Sequence, residues 1–513
     1  MRKWLIVVLV IVALGILIPF GFGVQINHQL KKLNDLQIPI KGGELGTLEF
    51  AVTDQKQGWR HSKAVITVSF RHPHTDIGES TTKTVPIITA HTKISHGPLL
   101  HQVSADGNEW MIGQALLQAN MNYVAENLPA RFLEITGIET GMASAFVALL
   151  GEQTIFVSTR EISFQDVTGQ LNFSGIDLEI ERSRDGKKIV ADMLIPHFNF
   201  LLYPPEDQAG GVRWLMDGVS LQFIGTVDHP AALWYGTWFG EVEALINNMQ
   251  IDMDGNHYSI NQFGFANIQK PDTDNSLLQG ESEIQFERLL YNQKGYGPFE
   301  AILSYEHIDR AAVENIRTLY DDWLYADTQV DFMTYLNAQQ RELFNNSLLA
   351  LVNRLPDYKI NNFFLVTDQG NLSGKFAMNV TGKANSAQEL EGLSFWQQNL
   401  KMNLNIQASQ ALTQDFSTWM VQQFYNLIKL PLPLMPTPSG QPGVAPVVDY
   451  QGEAKNLLNQ AQIFGIIKSA NDEYAMDAQF QQGRLLFNGK PFIDFNQPAT
   501  QPTEAKPNES TAN

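Results

Sequence analysis

The feature that most constrains this chain is an alternation of apolar and polar residues with period two, which recurs through its middle three hundred residues. In Ala64-Val65-Ile66-Thr67-Val68-Ser69-Phe70, the side chains of Ala64, Ile66, Val68 and Phe70 fall on one face of an extended strand. Leu171 and Phe173 share one face, whereas Ile176, Leu178 and Ile180 take the opposite parity, so a bulge or bend is expected at Gly175. Arg184-Asp185-Gly186-Lys187 carries the Asp-Gly signal of a hairpin turn, and a further strand pattern follows from Ile189 to Leu202. Similar patterns continue over 219–227, 249–253, 258–268, 281–290, 299–307, 363–367, 374–380 and 400–408. The expected fold class is α+β, a long and mainly antiparallel sheet accompanied by several amphipathic helices.

Helical spacing interrupts the strands in four places. One helix is expected over 110–128, a helical hairpin over 311–351 joined at Tyr325-Ala326-Asp327-Thr328, and another helix over 410–430. The last runs into a Pro/Gly-rich linker at 431–449, after which 450–495 reads as a short helix followed by strands. Residues 496–513 have the composition of a disordered tail. The β-rich body therefore spans 33–430, and 1–32 stands apart from it.

Residues 1–32 contain Met1-Arg2-Lys3 and then an uncharged apolar run from Trp4 to Val24, long enough at 1.5 Å per helical residue to cross a bilayer once. The alternative is a cleaved signal peptide with a small-x-small site at Gly21-Phe22-Gly23. The run exceeds the usual signal core, which favours a retained single-pass anchor. Arg2 and Lys3 place the N-terminus in the cytoplasm, although Lys31 and Lys32 dilute that signal. The expected location is the inner membrane of a Gram-negative cell, with the body in the periplasm.

Composition narrows the chemistry. The 513 residues include no cysteine, which excludes disulfides, thiol nucleophiles and Cys-based zinc or iron-sulfur sites. The 35 Lys+Arg against 54 Asp+Glu give a formal charge of -19, which argues against nucleic acid as a partner. Gly370-Asn371-Leu372-Ser373-Gly374-Lys375 is one residue short of a phosphate-binding loop and reads as a strand turn. Neither a G-x-S-x-G elbow nor an H-E-x-x-H helix is present. His91, His96 and His101 are evenly spaced, but a five-residue step in a strand sends alternate members to opposite faces. Around Asp252 and Asp272 the carboxylates suit turns, since Gln250 and Asn261 stand where an EF-hand would need acids. No catalytic residue, cofactor or metal site is expected, and a non-enzymatic role follows.

The Gly-Pro pairs at Ser95-His96-Gly97-Pro98-Leu99 and Tyr296-Gly297-Pro298-Phe299 allow an internal duplication or simply a shared turn requirement. Together with the N-terminal run, and with the C-terminal series Ile463-Phe464-Gly465 and Gly483-Arg484-Leu485-Leu486-Phe487-Asn488-Gly489-Lys490, these motifs resemble the YdgA/YihF family of bacterial proteins, grouped under a domain of unknown function. The linker and polar tail depart from that pattern. The resemblance implies an inner-membrane anchor and a periplasmic body, and it brings no catalytic residues with it.

One chemical candidate remains. Phe198, Phe200, Trp214, Phe223, Trp234 and Trp238 put more aromatic bulk on the central strands than one thin sheet face requires. They either pack between layers or line an apolar groove that binds lipid or another envelope component. Homo-oligomerisation through the helices at 330–351 and 410–430 is the alternative, and an envelope hydrolase with no recognisable motif ranks behind it.

Overall fold

The computed structural model describes residues 46–496, except 72–83, 105–106, 125–138, 166–168, 204–210, 230, 254, 274, 293, 327–329 and 429–448, together with 37–40 and a few helical positions between 22 and 34. The apolar run 4–24, the linker at 431–449 and the tail at 496–513 therefore lie almost wholly outside the described residues. Among those described, no helix is long and apolar enough to cross a membrane.

The chain forms two compact units, residues 1–295 with 309–347, and residues 296–308 with 348–513. In the first, the strands are β1 (Gln37–Ile40), β2 (Gly46–Lys56), β3 (His61–Arg71), β4 (Thr84–His96), β5 (Leu99–Ser104), β6 (Gly107–Tyr123), β7 (Glu139–Ala148), β8 (Gln153–Thr159), β9 (Ile162–Gln165), β10 (Gly169–Phe173), β11 (Asp177–Arg182), β12 (Lys188–Leu202), β13 (Val212–Thr226), β14 (Phe239–Met253), β15 (Asn256–Pro271), β16 (Leu277–Phe286) and β17 (Arg288–Tyr291). Antiparallel pairing runs unbroken in the order β1-β2-β3-β4-β6-β7-β8-β11-β12-β13-β14-β15-β16. Short strands complete it, β5 on β6, β9 on β10, β10 on β12 and β17 on β15.

The helix expected over 110–128 is corrected: Gly107 to Tyr123 is β6, held by β4 on one side and β7 on the other. Its odd positions, Met111, Gly113, Ala115, Leu117, Ala119, Met121 and Tyr123, are all apolar, aromatic or small, a period-two pattern masked by the adjacent pair Leu116-Leu117. Two neighbouring strands supply pairing that local helical spacing cannot match. At Gly175 the parity change proves to be a break between β10 and β11, with both strands pairing to β12. Gly175 takes φ +97°, and a Cβ there would stand 2.2 Å from the Thr159 carbonyl oxygen.

The first unit also holds the helices α1 (Ala231–Tyr235), α2 (Arg310–Tyr325), α3 (Phe332–Tyr335) and α4 (Ala338–Asn353), the last shared with the second unit. The second helix of the expected hairpin is split between α3 and α4 because Asn337 and Gln340 cap each other, side chain to backbone N–H in both directions. The buried core lies under the N-terminal strands, where Leu30 packs with Ala64, Ile94 and Ala115.

In the second unit, β18 (Lys294–Asp309), β19 (Asp357–Thr367), β20 (Gly370–Val380), β21 (Leu400–Ser409), β22 (Lys468–Ala470), β23 (Glu473–Gln481), β24 (Arg484–Phe487) and β25 (Lys490–Asp494) form the order β18-β19-β20-β21-β23-β24-β25, with β22 on β23. It also holds α5 (Ala387–Glu391), α6 (Leu393–Asn399), α7 (Gln410–Ile428) and α8 (Tyr450–Ile463). Val352, Val380, Ala384 and Phe395 make its core. Gly97-Pro98 and Gly297-Pro298 are both cis peptides.

Candidate functional site

The central strands of the first unit present two chemically distinct faces. Cross-strand partners share a face, so the register can be followed as rows running across the sheet. One row passes Val157, Leu178, Met193, Leu221, Ala244, Phe265 and Ile284, from β8 to β16. Beside it run Ile155, Ile180, Ala191, Phe223 and Val242. At roughly 4.8 Å per strand the seven strands make an apolar band about 29 Å long. Toward β3, the same two rows continue through Ala143, Ala119, Thr92 and Ala64, and through Ala145, Leu117 and Ile94.

Burial separates the two ends of this band. Ala64 and Ile94 are buried under Leu30. From β8 to β15, by contrast, the large members Val157, Leu178, Ile180, Met193, Leu221, Val242 and Phe265 are only half-buried. Phe223 alone among them is buried, with Trp238 edge-on at 5.1 Å. A second layer would bring such side chains close to full burial. Among the described residues of the first unit, no second layer buries this stretch of the apolar face.

The opposite face carries the acids, interspersed with the exposed apolar side chains of Phe156, Leu194, Ile224, Leu245 and Ile268. Glu179, Asp192, Gln222, Glu243 and Glu283 align across β11 to β16, and with Phe156, Asp177, Leu194, Ser220, Leu245 and Gln285 they flank a shallow concavity of about 720 Å³. Glu181, Glu241 and Glu281 share its parity in the next row.

A transverse crease ends the band. The register omits Pro196, Gly218, Asn247 and Gln262 on four successive strands, with φ +59° at Gly218 and +49° at Gln262. Beyond the crease the two parities exchange character. His197, Asp217 and Asn248 continue the apolar parity, tied by His197 Nδ1 to Asp217 Oδ1 at 2.5 Å and by Asn248 Nδ2 donating to Asp217 Oδ2 at 3.3 Å. Phe198, Phe200 and Trp214 continue the other one.

Accordingly, the aromatic residues singled out from the sequence fall into two groups. Phe198 meets Phe173 at 6.3 Å and Trp214 at 5.7 Å, and Phe200 is the cross-strand partner of Trp214. Phe223 lies nine residues beyond Trp214 on β13, about 30 Å away at the strand rise, with Trp238 from the start of β14 beside it. The side chain of Trp234 lies outside the described residues. The band's own Leu178, Met193, Leu221 and Ala244 escaped notice because alternation marks a face within one strand and is silent about the strand beside it.

At the Phe223 end, the β13–β14 connection is held to α2. Arg310, 7% exposed, donates from Nη1 to Asp228 Oδ2 at 2.5 Å, lies 3.4 Å from Glu314 through Nε, and covers the Phe239 ring at 4.8 Å. The buried Thr237 hydroxyl donates to Glu314 Oε1 at 2.7 Å. The Arg310 guanidinium holds the Asp228 carboxyl below its ordinary range, against the opposing effect of burial.

Among the described residues the histidines form no group that could hold a metal ion. His96 is buried with Nε2 2.8 Å from Ser62 Oγ, and among the described residues its Nδ1 finds no partner. A hydroxyl beside an imidazole resembles a nucleophile with its base. Exposures of 1% for Ser62 and 2% for His96 shut that pair away from solvent. His91 pairs across to Val65, and His101 sits against Trp110 with ring centroids 4.7 Å apart. Asp272 accepts from the Ser276 hydroxyl and the Leu277 N–H, as a turn aspartate does. Gly370 opens the β19–β20 hairpin, so the near-miss phosphate loop is a strand turn.

A family profile described as a bacterial protein of unknown function, DUF945, matches residues 1–493. No curated protein and no solved structure matches the chain.

Proposed function

We propose, from the premise that the chain belongs to the DUF945 family of bacterial proteins of unknown function, that it is a non-catalytic envelope protein whose open apolar sheet face holds lipid. In this reading the N-terminal run anchors it in the inner membrane and the body works in the periplasm. The finer YdgA/YihF grouping belongs to the same reading. The observation that carries it is the half-burial of Leu178, Met193, Leu221 and Phe265 on a band about 29 Å long. Leaving such a band in water forgoes roughly 25 cal/mol for every Å² that an acyl chain could cover. Among the described residues no arrangement of nucleophile, base and orienting group accompanies the band, which is why a binding role is preferred to a hydrolytic one.

The test is native mass spectrometry of the full chain extracted from membranes. Phospholipid bound to the wild type should fall at least several-fold in Leu221→Glu and stay unchanged in Leu245→Glu, which alters the opposite face. Equal lipid content in both variants would sink the reading, because lipid held by the anchor alone responds to neither.

A second reading is favoured by α7, which exposes Phe416, Trp419 and Met420 at 59, 52 and 49% on one helical face. Such a stripe suits self-association. Light scattering of the full chain in detergent should then return a dimer or larger assembly that Trp419→Glu reduces to a monomer. A monomer at every concentration would refute it.

A further inference from the structure

One end of the N-terminal strands gathers exposed apolar side chains that belong to no sheet face. We infer that this end docks on the bilayer surface, with Trp59, Leu99, Trp110, Ile112, Leu149 and Leu150 dipping into the edge of the periplasmic leaflet. This rests on the anchor reading above and is independent of lipid on the band.

Pairing sets the six at one end. His61 is the partner of Ser95, His96 of Ala115 and Gly113 of Ala148, so the β2–β3 turn, the β5–β6 hairpin and the β7–β8 turn all leave the sheet together. The His96 N–H donates to the Arg60 carbonyl at 2.8 Å, which ties the turn bearing Trp59 to the start of the hairpin. Within the hairpin Leu99 faces Ile112 and His101 faces Trp110, while the intervening Leu100 is buried. Strand alternation thus turns Leu100 inward and Leu99, Ile112 and Trp110 outward. The six side chains are 44 to 68% exposed, and apolar groups so exposed and gathered at one end mark a contact surface. The turns 57–60 and 149–152 carry one charge of each sign, Arg60 and Glu152, so the surface selects for apolar depth rather than for a charged headgroup.

The course of the chain identifies what covers it. Leu30 packs with Ala64, Ile94 and Ala115, which stand close to this end of β3, β4 and β6. Asn34 Oδ1 accepts from the Val52 N–H, further from the β2–β3 turn, and β1 pairs with Gly46–Glu49, further again. From Leu30 onward the chain therefore leaves this end, and backward from Leu30 it approaches it. Val24 closes the apolar run 4–24 and, like Leu30, is a helical position. Six residues separate the two, about 9 Å at the helical rise. An anchor that ends at Val24 brings the bilayer surface to this end of the strands and holds the other end away from it. Trp59 and Trp110 then sit where a membrane interface favours tryptophan.

Fluorescence quenching by lipid tests this. The chain has no cysteine, so one introduced cysteine carries a nitrobenzoxadiazole label on the full chain, reconstituted in phosphatidylcholine vesicles with or without nitroxide-tailed phosphatidylcholine. Leu150→Cys reports on the docking end. Met253→Cys, also apolar and exposed but at the opposite strand ends, is the control, and Val12→Cys reports on the anchor. Nitroxide lipid should quench the label at 12 and at 150, and the loss at 150 should exceed that at 253 by about threefold or more. If Leu150→Cys lowers the melting temperature, Ile112→Cys replaces it. Quenching at 12 without quenching at 150 overturns the docking and leaves the anchor standing; a label at 150 that is blue-shifted yet unquenched gives the surface to a protein partner instead. Equal quenching at 150 and 253 overturns the end-on stance. No quenching at 12 overturns the anchor, and the docking with it.

Discussion

Replacing Ile94 and Leu221 by alanine, one at a time, separates a covered sheet face from an open one. Both are apolar residues on the same continuous side of one antiparallel sheet, and each substitution removes about three methylene equivalents. Ile94 is 0% exposed and packed under Leu30. Its truncation loses about 2.4 kcal/mol of transfer free energy at about 0.8 kcal/mol per methylene. A residual cavity adds about 1.5 kcal/mol more, for a total near 4 kcal/mol. Leu221 is half-buried by its row neighbours, so its truncation forfeits only part of the transfer free energy and opens no closed cavity, for about 1.5 kcal/mol. The assay is hydrogen exchange as a function of urea, read by mass spectrometry on peptides from β4–β6 and β12–β14, which follows each region without assuming one global transition. Equal losses for the two substitutions would mean that a second layer covers the β12–β14 face, and the argument for an open band would fail.

Two further outcomes test the buried polar groups. Burial, with His61 nearby as a secondary cause, pushes the His96 imidazole below its ordinary 6.5. The unfolded chain therefore holds more protons just below pH 6.5, so the stability that His96 contributes is fully present above that pH and is lost as the solution is acidified through the window beneath it. Thermal melts between pH 7.5 and 5 should show the melting temperature of the first unit falling on acidification, and His96→Gln should flatten that fall; a slope unaltered by the substitution refutes the assignment. Arg310→Met should lower the stability of the first unit by about 2–3 kcal/mol, because it leaves Asp228 and Glu314 without their buried cation, and thermal melts should show Arg310→Lys failing to restore it since one ammonium cannot engage both carboxylates. Full recovery by lysine would contradict the two-directional contact.

What could be read from the sequence was whatever is local. The β3 alternation, the Asp185-Gly186 turn and the helices at Arg310–Tyr325, Gln410–Ile428 and Tyr450–Ile463 all lie where their residue patterns put them. Gly175 announced a change of parity, though only pairing to β12 shows that it separates two strands. β6 failed because its helical and extended patterns coexist, and the choice is made by β4 and β7, both distant in sequence. The aromatic candidates were legible as bulky residues on strands. Their separation into Phe198, Phe200 and Trp214 on one side and Phe223 with Trp238 on the other depends on a crease through Pro196, Gly218, Asn247 and Gln262, which exists only once four strands are in register. The band itself is of the same kind, since Leu178, Met193, Leu221 and Phe265 become neighbours through cross-strand pairing alone.

The central claim is that lipid covers the sheet from β8 to β16. Electron cryomicroscopy of the full chain, extracted from membranes with amphipathic polymer in place of detergent, tests it most directly. The account predicts elongated density lying across the strands over Leu178, Met193, Leu221 and Phe265. A layer of protein packed on that face, or a bare face, would contradict it.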